Sequence, residues 1–522
     1  MYSVITTGII QGIRSVTVYV EADISDGMPM FEMVGFLSAE VKEAKERVRT
    51  ALRNSGYVLP PKRITVNFIP ANIRKTGSCF DLPIALAVLS AMGVIPEEEM
   101  KNVFVTGEIG LSGCVKPVNG ILPMVAEAKE NGMKYAMVPT DNFEEALLVK
   151  DIRIFGVSSI SEAVQVILQG FIQEKSAGKD KMGGKEKTGG KVFLRENEKD
   201  KQPDFSDING QKVIKRACEV AVSGMHNLLM IGPPGAGKTM IAMRIPTILP
   251  PLNENEQMEL SKIYSVSGLF SQRKNYMDVR PFRCPHHTVT AQGLCGGGAI
   301  PKPGEISLAH KGVLFLDELP EFQKNTLEVM RQPLEEKVAR IVRLSGSYEY
   351  PADFMLVAAM NPCRCGFFPD MQKCRCTTSG IERYLNRISQ PLLDRIDICV
   401  EASKLKFEEL IGEGKEEKSA DIRKRVVRVH DLQEQRFQGE SFSYNSQIPA
   451  TKIKKYCTLT KKQEKYMEEI YQKLNLTARS YHKILKVART IADMDGADAI
   501  ETRHLNEAVC YRNIDKKFWG HV

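Results

Sequence analysis

The chain has 522 residues, 43% hydrophobic and 26% charged, and a net charge of +8. That length exceeds the roughly 250 to 300 residues at which a single core stops growing, so several cores are expected. No run reaches the about 20 apolar residues that cross a bilayer, the start (Met1 to Gly8) lacks a secretory pattern, and the expected location is the cytoplasm, with a modest basic excess that permits nucleic-acid contact without establishing it.

The first part alternates strand and helix signals. Val16 to Asp23 and Arg63 to Ile69 read as strands, Glu40 to Ser55 as an amphipathic helix, and Leu82 to Met92 as a buried one. A strand from Val103, a helix over about 120–130 and a strand at Tyr135 continue the pattern to residue 173. Residues 174–202 carry charges and glycines with almost nothing to bury, which makes them a flexible linker. Pro203 to Gly210 then leads into a helix over Gln211 to Ser223, with Phe205 and Ile208 able either to bracket an adenine ring or simply to pack.

The apolar strand Asn227 to Ile231 runs into Gly232, Pro233, Pro234, Gly235, Ala236, Gly237, Lys238 and Thr239, followed by a helix start. Strand, glycine loop and helix together form a phosphate cradle. Its backbone N–H groups point at phosphate oxygens and the helix dipole adds positive charge. Lys238 reaches the terminal phosphates of ATP, and the Thr239 hydroxyl can ligate Mg²⁺. A second apolar strand from Val313 ends in Asp317 and Glu318. Asp317 suits magnesium binding through water and Glu318 suits polarising the attacking water. Between them, residues 280–312 favour loops and short hairpins. Arg280, Arg283, Lys302 and Lys311 can place charge near phosphates, and His286 and His287 can serve a metal, a structural role or a nucleic-acid surface.

Phe322 to Gln332 reads as a helix, and Lys337 to Arg343 with Asp353 to Ala359 as a hairpin around Gly346. The second strand delivers Asn361, which can orient water and sense the terminal phosphate. Cys363, Cys365, Cys374 and Cys376 follow as two tight pairs, whereas the other cysteines of the 12 are scattered as reduced thiols. Four soft ligands suit a closed, structural Zn²⁺ site. Arg395 follows a short apolar helix or turn and can either reach the phosphates of a neighbouring subunit or pair with Asp394 or Asp397 in its own chain. Helices are expected over Lys418 to Gln435, Thr460 to Leu474, Ala478 to Met494 and Asp498 to Cys510. Arg479, at a helix start, can face a nucleotide held between lid and core. The domains expected are 1–173, the linker 174–202, an ATPase core 203–404 and a helical lid 405–522.

The segments Pro70 to Pro83 and Thr106 to Gly120 resemble the protease domain of the Lon family, which implies a ribosomal-protein-like α/β fold. That resemblance places the family's catalytic serine at or near Cys79 and its lysine near Leu122. Leucine takes no proton, so the Ser-Lys dyad is lacking, and Ser78 or Cys79 with Lys75 or Lys116 would be the substitutes. Gly232 to Thr239, Arg283 to Thr288, Gly304 to His310, Val313 to Pro320, Ala359 to Gly366 and Pro391 to Asp397 jointly resemble the magnesium-chelatase-like AAA+ family across the chain. Arg364 departs from the proline often found between the first two cysteines. The resemblance implies an α/β multidomain protein, a hexameric homo-oligomer, and, for its ComM-like members, ATP-driven branch migration of single-stranded or branched DNA in recombination or natural transformation. An AAA+ remodeller of protein complexes uses the same ATP residues. An ATP-dependent peptidase is disfavoured by the missing dyad.

Overall fold

The structure, a computed structural model, describes residues 2–171, 203–270, 277–343, 346–403 and 416–519. The linker expected over 174–202 and the start of the expected lid, to residue 415, lie outside the described residues.

The N-terminal unit runs β1 (Tyr2–Gln11), β2 (Arg14–Ser25), β3 (Met30–Val34), α1 (Ala39–Asn54), β4 (Arg63–Ile69), α2 (Asp81–Ala91), β5 (Val103–Val105), α3 (Ile121–Glu130), β6 (Tyr135–Pro139), β7 (Arg153–Val157) and α4 (Ile160–Leu168). Its seven strands form one mixed sheet in the order β3-β4-β2-β1-β5-β6-β7. Period-two alternation puts Val18, Val20, Ala22 and Ile24 of β2 inward. Ser38 caps α1 by accepting the Val41 N–H, and Val41, Ala44, Val48 and Leu52 line its buried face. α2 is buried on every side, as its nearly uniform apolar sequence dictates.

The second unit runs α5 (Lys212–Gly224), β8 (Leu228–Ile231), α6 (Lys238–Ala242), α7 (Glu254–Ser267), β9 (Phe282–Arg283), β10 (Val313–Leu316), β11 (Val338–Arg343), β12 (Gly346–Pro351), β13 (Met355–Met360), α8 (Gln390–Leu393) and β14 (Ile398–Glu401). The parallel sheet has the order β9-β10-β13-β8-β14. Fully buried strands such as Val313–Leu316 read as continuous apolar runs because both faces are covered. The hairpin differs from expectation: β11 pairs with β12, from Val338↔Pro351 to Arg343↔Gly346, and the run ending at Met360 is a separate sheet strand. Residues 322–332 also do not form one helix; two short ones, Lys324–Glu328 and Arg331–Glu336, meet near Met330. Phe205 and Ile208 are buried in the core, so they pack.

The C-terminal helices are α9 (Ser419–Arg436), α10 (Lys461–Lys473), α11 (Ala478–Met494) and α12 (Thr502–Trp519). The last is longer than expected because Phe518 is buried and the Trp519 indole N–H donates to Leu385 O at 3.2 Å. No helix among the described residues is long and apolar enough to cross a membrane.

The two α/β units touch where α3 meets α7. The Gly120 N–H donates to Ser265 O at 3.1 Å and the Leu122 N–H to Ser265 Oγ at 3.3 Å.

Candidate nucleotide site

Three neighbouring parallel strands, β10, β13 and β8, end on the same edge of the sheet, and each carries chemistry at its carboxyl end. β8 leads into the glycine loop, β13 into Asn361, and β10 into Asp317 and Glu318. Gly235 and Gly237 take φ of +77° and +79°, a left-handed conformation that a side chain would strain, and this lets the loop wrap tightly before α6. Gln211 fastens the loop from outside: its Nε2 donates to Ala236 O at 3.2 Å and to Ser403 O at 2.7 Å.

Lys238 Nζ donates to Gly232 O at 2.7 Å, Pro233 O at 3.0 Å and Asn361 Oδ1 at 3.1 Å. Burial lowers its pKa, opposed by the nearby Asp317 charge. The Thr239 hydroxyl donates to Asp317 Oδ2 at 2.7 Å. A hydroxyl and a carboxylate in contact at a strand end are the hard oxygen donors that Mg²⁺ takes alongside phosphate. Glu318 has φ +51°, an unusual conformation for a non-glycine residue, and its N–H donates to Asp317 Oδ1 at 2.9 Å. A concavity of 410 Å³ is lined by Pro234 to Met240, Asp317, Glu318, Met360 and Asn361.

The structure thus brings together Lys238, Thr239, Asp317, Glu318 and Asn361. It does not bring Arg395 or Arg479 to that concavity. Arg395 lies just past α8, and its Nη2 donates to Glu335 Oε1 at 2.5 Å, its Nε to Arg331 O at 3.3 Å, and its Nη1 to Pro391 O. The pairing with Asp394 or Asp397 is not made. Asp397 instead meets Lys483 of α11 at 3.2 Å, and Lys483 Nζ also donates to Ile396 O at 2.9 Å, which ties the lid to the Arg395 turn. Arg479 is exposed in the first turn of α11, whose cap is Thr477.

The four cysteine sulfurs lie within 4.8 Å of one another, with Cys363 and Cys365 at 3.4 Å, Cys363 and Cys374 at 3.8 Å, and Cys365 and Cys374 at 3.6 Å. A zinc–sulfur bond of about 2.3 Å in a tetrahedron sets sulfurs roughly 3.8 Å apart, so the tetrad has the size of such a site. It also abuts the phosphate loop. A Cβ on Gly366 would sit 2.4 Å from Pro234 Cδ, which only glycine avoids. Sequence spacing gave no signal of that contact.

Of the basic groups expected near phosphates, Lys302 is exposed and the other three are otherwise engaged. Arg280 is buried against Pro250 O, Lys311 O, Pro251 O and Glu256, Arg283 makes a bidentate pair with Glu305 at 2.6 and 2.8 Å, and Lys311 pairs with Asp353. His286 and His287 belong to no cluster of metal-ligating groups among the described residues. His287 lies 3.7 Å from Glu318, a proximity that sequence reasoning missed.

Sequence comparison decides the family. The pattern described as magnesium chelatase, subunit ChlI, matches residues 204–410; those described as subunit ChlI of Mg-chelatase and as the ChlI C-terminal part match 20–142 and 416–512. The chain belongs to the magnesium-chelatase/ComM–YifB family of AAA+ ATPases. Among its relatives, the Competence protein ComM of Haemophilus influenzae is 39% identical over 504 residues, 96% of this chain and 95% of that protein. A Salmonella typhimurium protein named YifB is 39% identical over 507 residues, 97% of this chain and 96% of its own length. The chain is also similar to Lon protease 2 of Bacillus subtilis, 34% identical over 129 residues, 24% of this chain and 23% of that enzyme. Family membership makes the chain an ATP-hydrolysing AAA+ enzyme.

Proposed function

We propose that this ATPase is the protomer of a magnesium-dependent ring motor, six-fold by family resemblance, that moves branched DNA junctions. The observation that carries the reading is the pocket itself. Lys238, Thr239, Asp317, Glu318 and Asn361 converge, while Arg395 and Arg479 lie outside the concavity of their own chain. That division suits a site completed by a neighbour and a lid. Lys238 and the loop N–H groups bind the ATP phosphates, and Asn361 orients the attacking water beside the terminal phosphate. As the water oxygen bonds to the γ-phosphorus, its proton passes to Glu318 and the bond to the β,γ-bridging oxygen breaks, leaving ADP with that electron pair. Magnesium, held through Thr239 and Asp317, would supply charge neutralisation on the phosphates. Arg395 of an adjacent protomer neutralises the developing charge once released from Glu335, and Arg479 reports nucleotide to the lid.

The DNA assignment draws on the likeness to a protein named for competence and on the modest basic balance. The cytoplasm is where such a substrate, ATP and reduced thiols coexist. The proposed division is 1–173, 174–202, 203–404 and 405–522, with the first unit a Lon-like domain without peptidase chemistry. In that unit Leu122 is buried, and burial together with the Asp81 charge pushes the Cys79 thiol up to about 12. The test is processing of a strand-exchange intermediate by the purified full chain. ATP-dependent junction movement supports the proposal; ATP hydrolysis without DNA binding or junction movement overturns it in favour of a remodeller of protein complexes, to which the chelatase-subunit patterns point.

The cysteine tetrad fits a structural zinc that would brace the phosphate loop through Gly366 and Pro234. Metal analysis should find about one zinc per chain, lost in Cys363→Ser, with nucleotide affinity weakened about tenfold as the loop loosens. Absence of zinc from the freshly purified chain would refute the clamp.

A further inference from the structure

We infer that His287 is a positioning residue for Glu318, holding its carboxylate in the pose from which it takes the proton of the attacking water. This rests on the reading of Glu318 as the base. The parallel register of β9 with β10 pairs Phe282 with Val313 and Arg283 with Leu314. β9 ends at Arg283 and β10 at Leu316, and beyond the paired strands the two segments stay close enough for the side chains to meet, with His287 Nδ1 3.7 Å from Glu318 Oε2.

The imidazole is held on several sides. Its ring lies 4.0 Å from that of His286, whose Nδ1 is 2.9 Å from Thr288 Oγ1, and 6.5 Å edge-on from buried Phe322. The segment is pinned before and after. Arg283 is locked to Glu305, the Thr326 hydroxyl donates to Val289 O at 3.4 Å, and Thr290 caps the short helix Ala291–Cys295. At the start of the segment, burial and then the charges of Asp317 and Glu305 raise the Cys284 thiol. Glu318 needs such a hold. Its side chain is 59% exposed and its backbone is left-handed, so few neighbours restrict it. An imidazole beside one carboxylate oxygen leaves the other free to accept the water proton.

The experiment compares wild type, His287→Ala and His287→Gln in steady-state hydrolysis, together with equilibrium binding of a fluorescent ATP analogue and thermal melting. Losing orientation without losing binding should lower kcat roughly tenfold in His287→Ala at unchanged KM and nucleotide affinity. His287→Gln keeps an N–H donor and should recover most of the rate. In a Glu318→Gln background His287→Ala should add little further loss, because the group it positions is gone. Unchanged kcat in His287→Ala overturns the inference, as does equal damage by both substitutions accompanied by weaker binding, which marks a purely structural residue. Normal turnover in Glu318→Gln alone would instead remove the reading of the base, so the two failures are told apart.

Discussion

Glu318→Gln is expected to cut ATP hydrolysis by about a hundredfold to a thousandfold while leaving nucleotide affinity within about threefold of wild type. The amide has the shape of the carboxylate but accepts no proton, so only the transition state loses an interaction. Binding survives because the groups that hold phosphates and metal are other residues. Lys238 sits in the loop, and Thr239 with Asp317 forms its own pair at 2.7 Å. The turn also survives, since the Glu318 N–H to Asp317 bond is a backbone donation that glutamine keeps. Phosphate release and equilibrium binding of labelled ATP read the two quantities separately. Loss of both in parallel would move Glu318 from base to phosphate or metal ligand.

Lys238→Ala should act on the other side of that division, weakening ATP binding by about two orders of magnitude, the worth of roughly 3 kcal/mol of charge-assisted hydrogen bonding. The ammonium is nearly enclosed, at 8% exposure, and is held by Gly232 O, Pro233 O and Asn361 Oδ1. Those three acceptors keep the amine in place for phosphate to claim. Because burial already disfavours the charged amine, removing it should change the melting temperature of the nucleotide-free chain little. Calorimetric titration with Mg-ATP and a melting curve check both halves; retained affinity would sink the assigned role of the loop.

The pocket was legible in the sequence because its parts are local. A glycine loop between an apolar strand and a helix start, and an apolar strand ending in Asp317 and Glu318, are patterns of neighbours along the chain, and parallel strands bring their ends together. Contacts set by the sheet order were not legible. Arg280 looks like a phosphate-facing cation, yet three carbonyls and Glu256 surround it, and those acceptors come from segments distant in sequence. The hairpin partner of β11 was misassigned because Gly346 to Pro351 is rich in polar and aromatic residues rather than aliphatic ones; Tyr350 decides it by burying its ring and donating to Pro301 O at 2.7 Å. The last helix runs past its expected end at Cys510 because Phe518 and Trp519, further along the chain, pack back onto the core. His287 reads from sequence as a possible metal ligand, whereas its neighbour Glu318 belongs to a segment distant along the chain that spacing does not reveal.

The central claim is a shared site, with the loop and carboxylates of one protomer and Arg395 of the next. Phosphate release per chain, measured across a dilution series for wild type and for wild type mixed with Arg395→Ala, tests it most directly. Turnover per chain should rise with assembly and fall when Arg395→Ala subunits enter wild-type rings, with nucleotide affinity retained. A rate per chain that is independent of concentration and untouched by Arg395→Ala would contradict it.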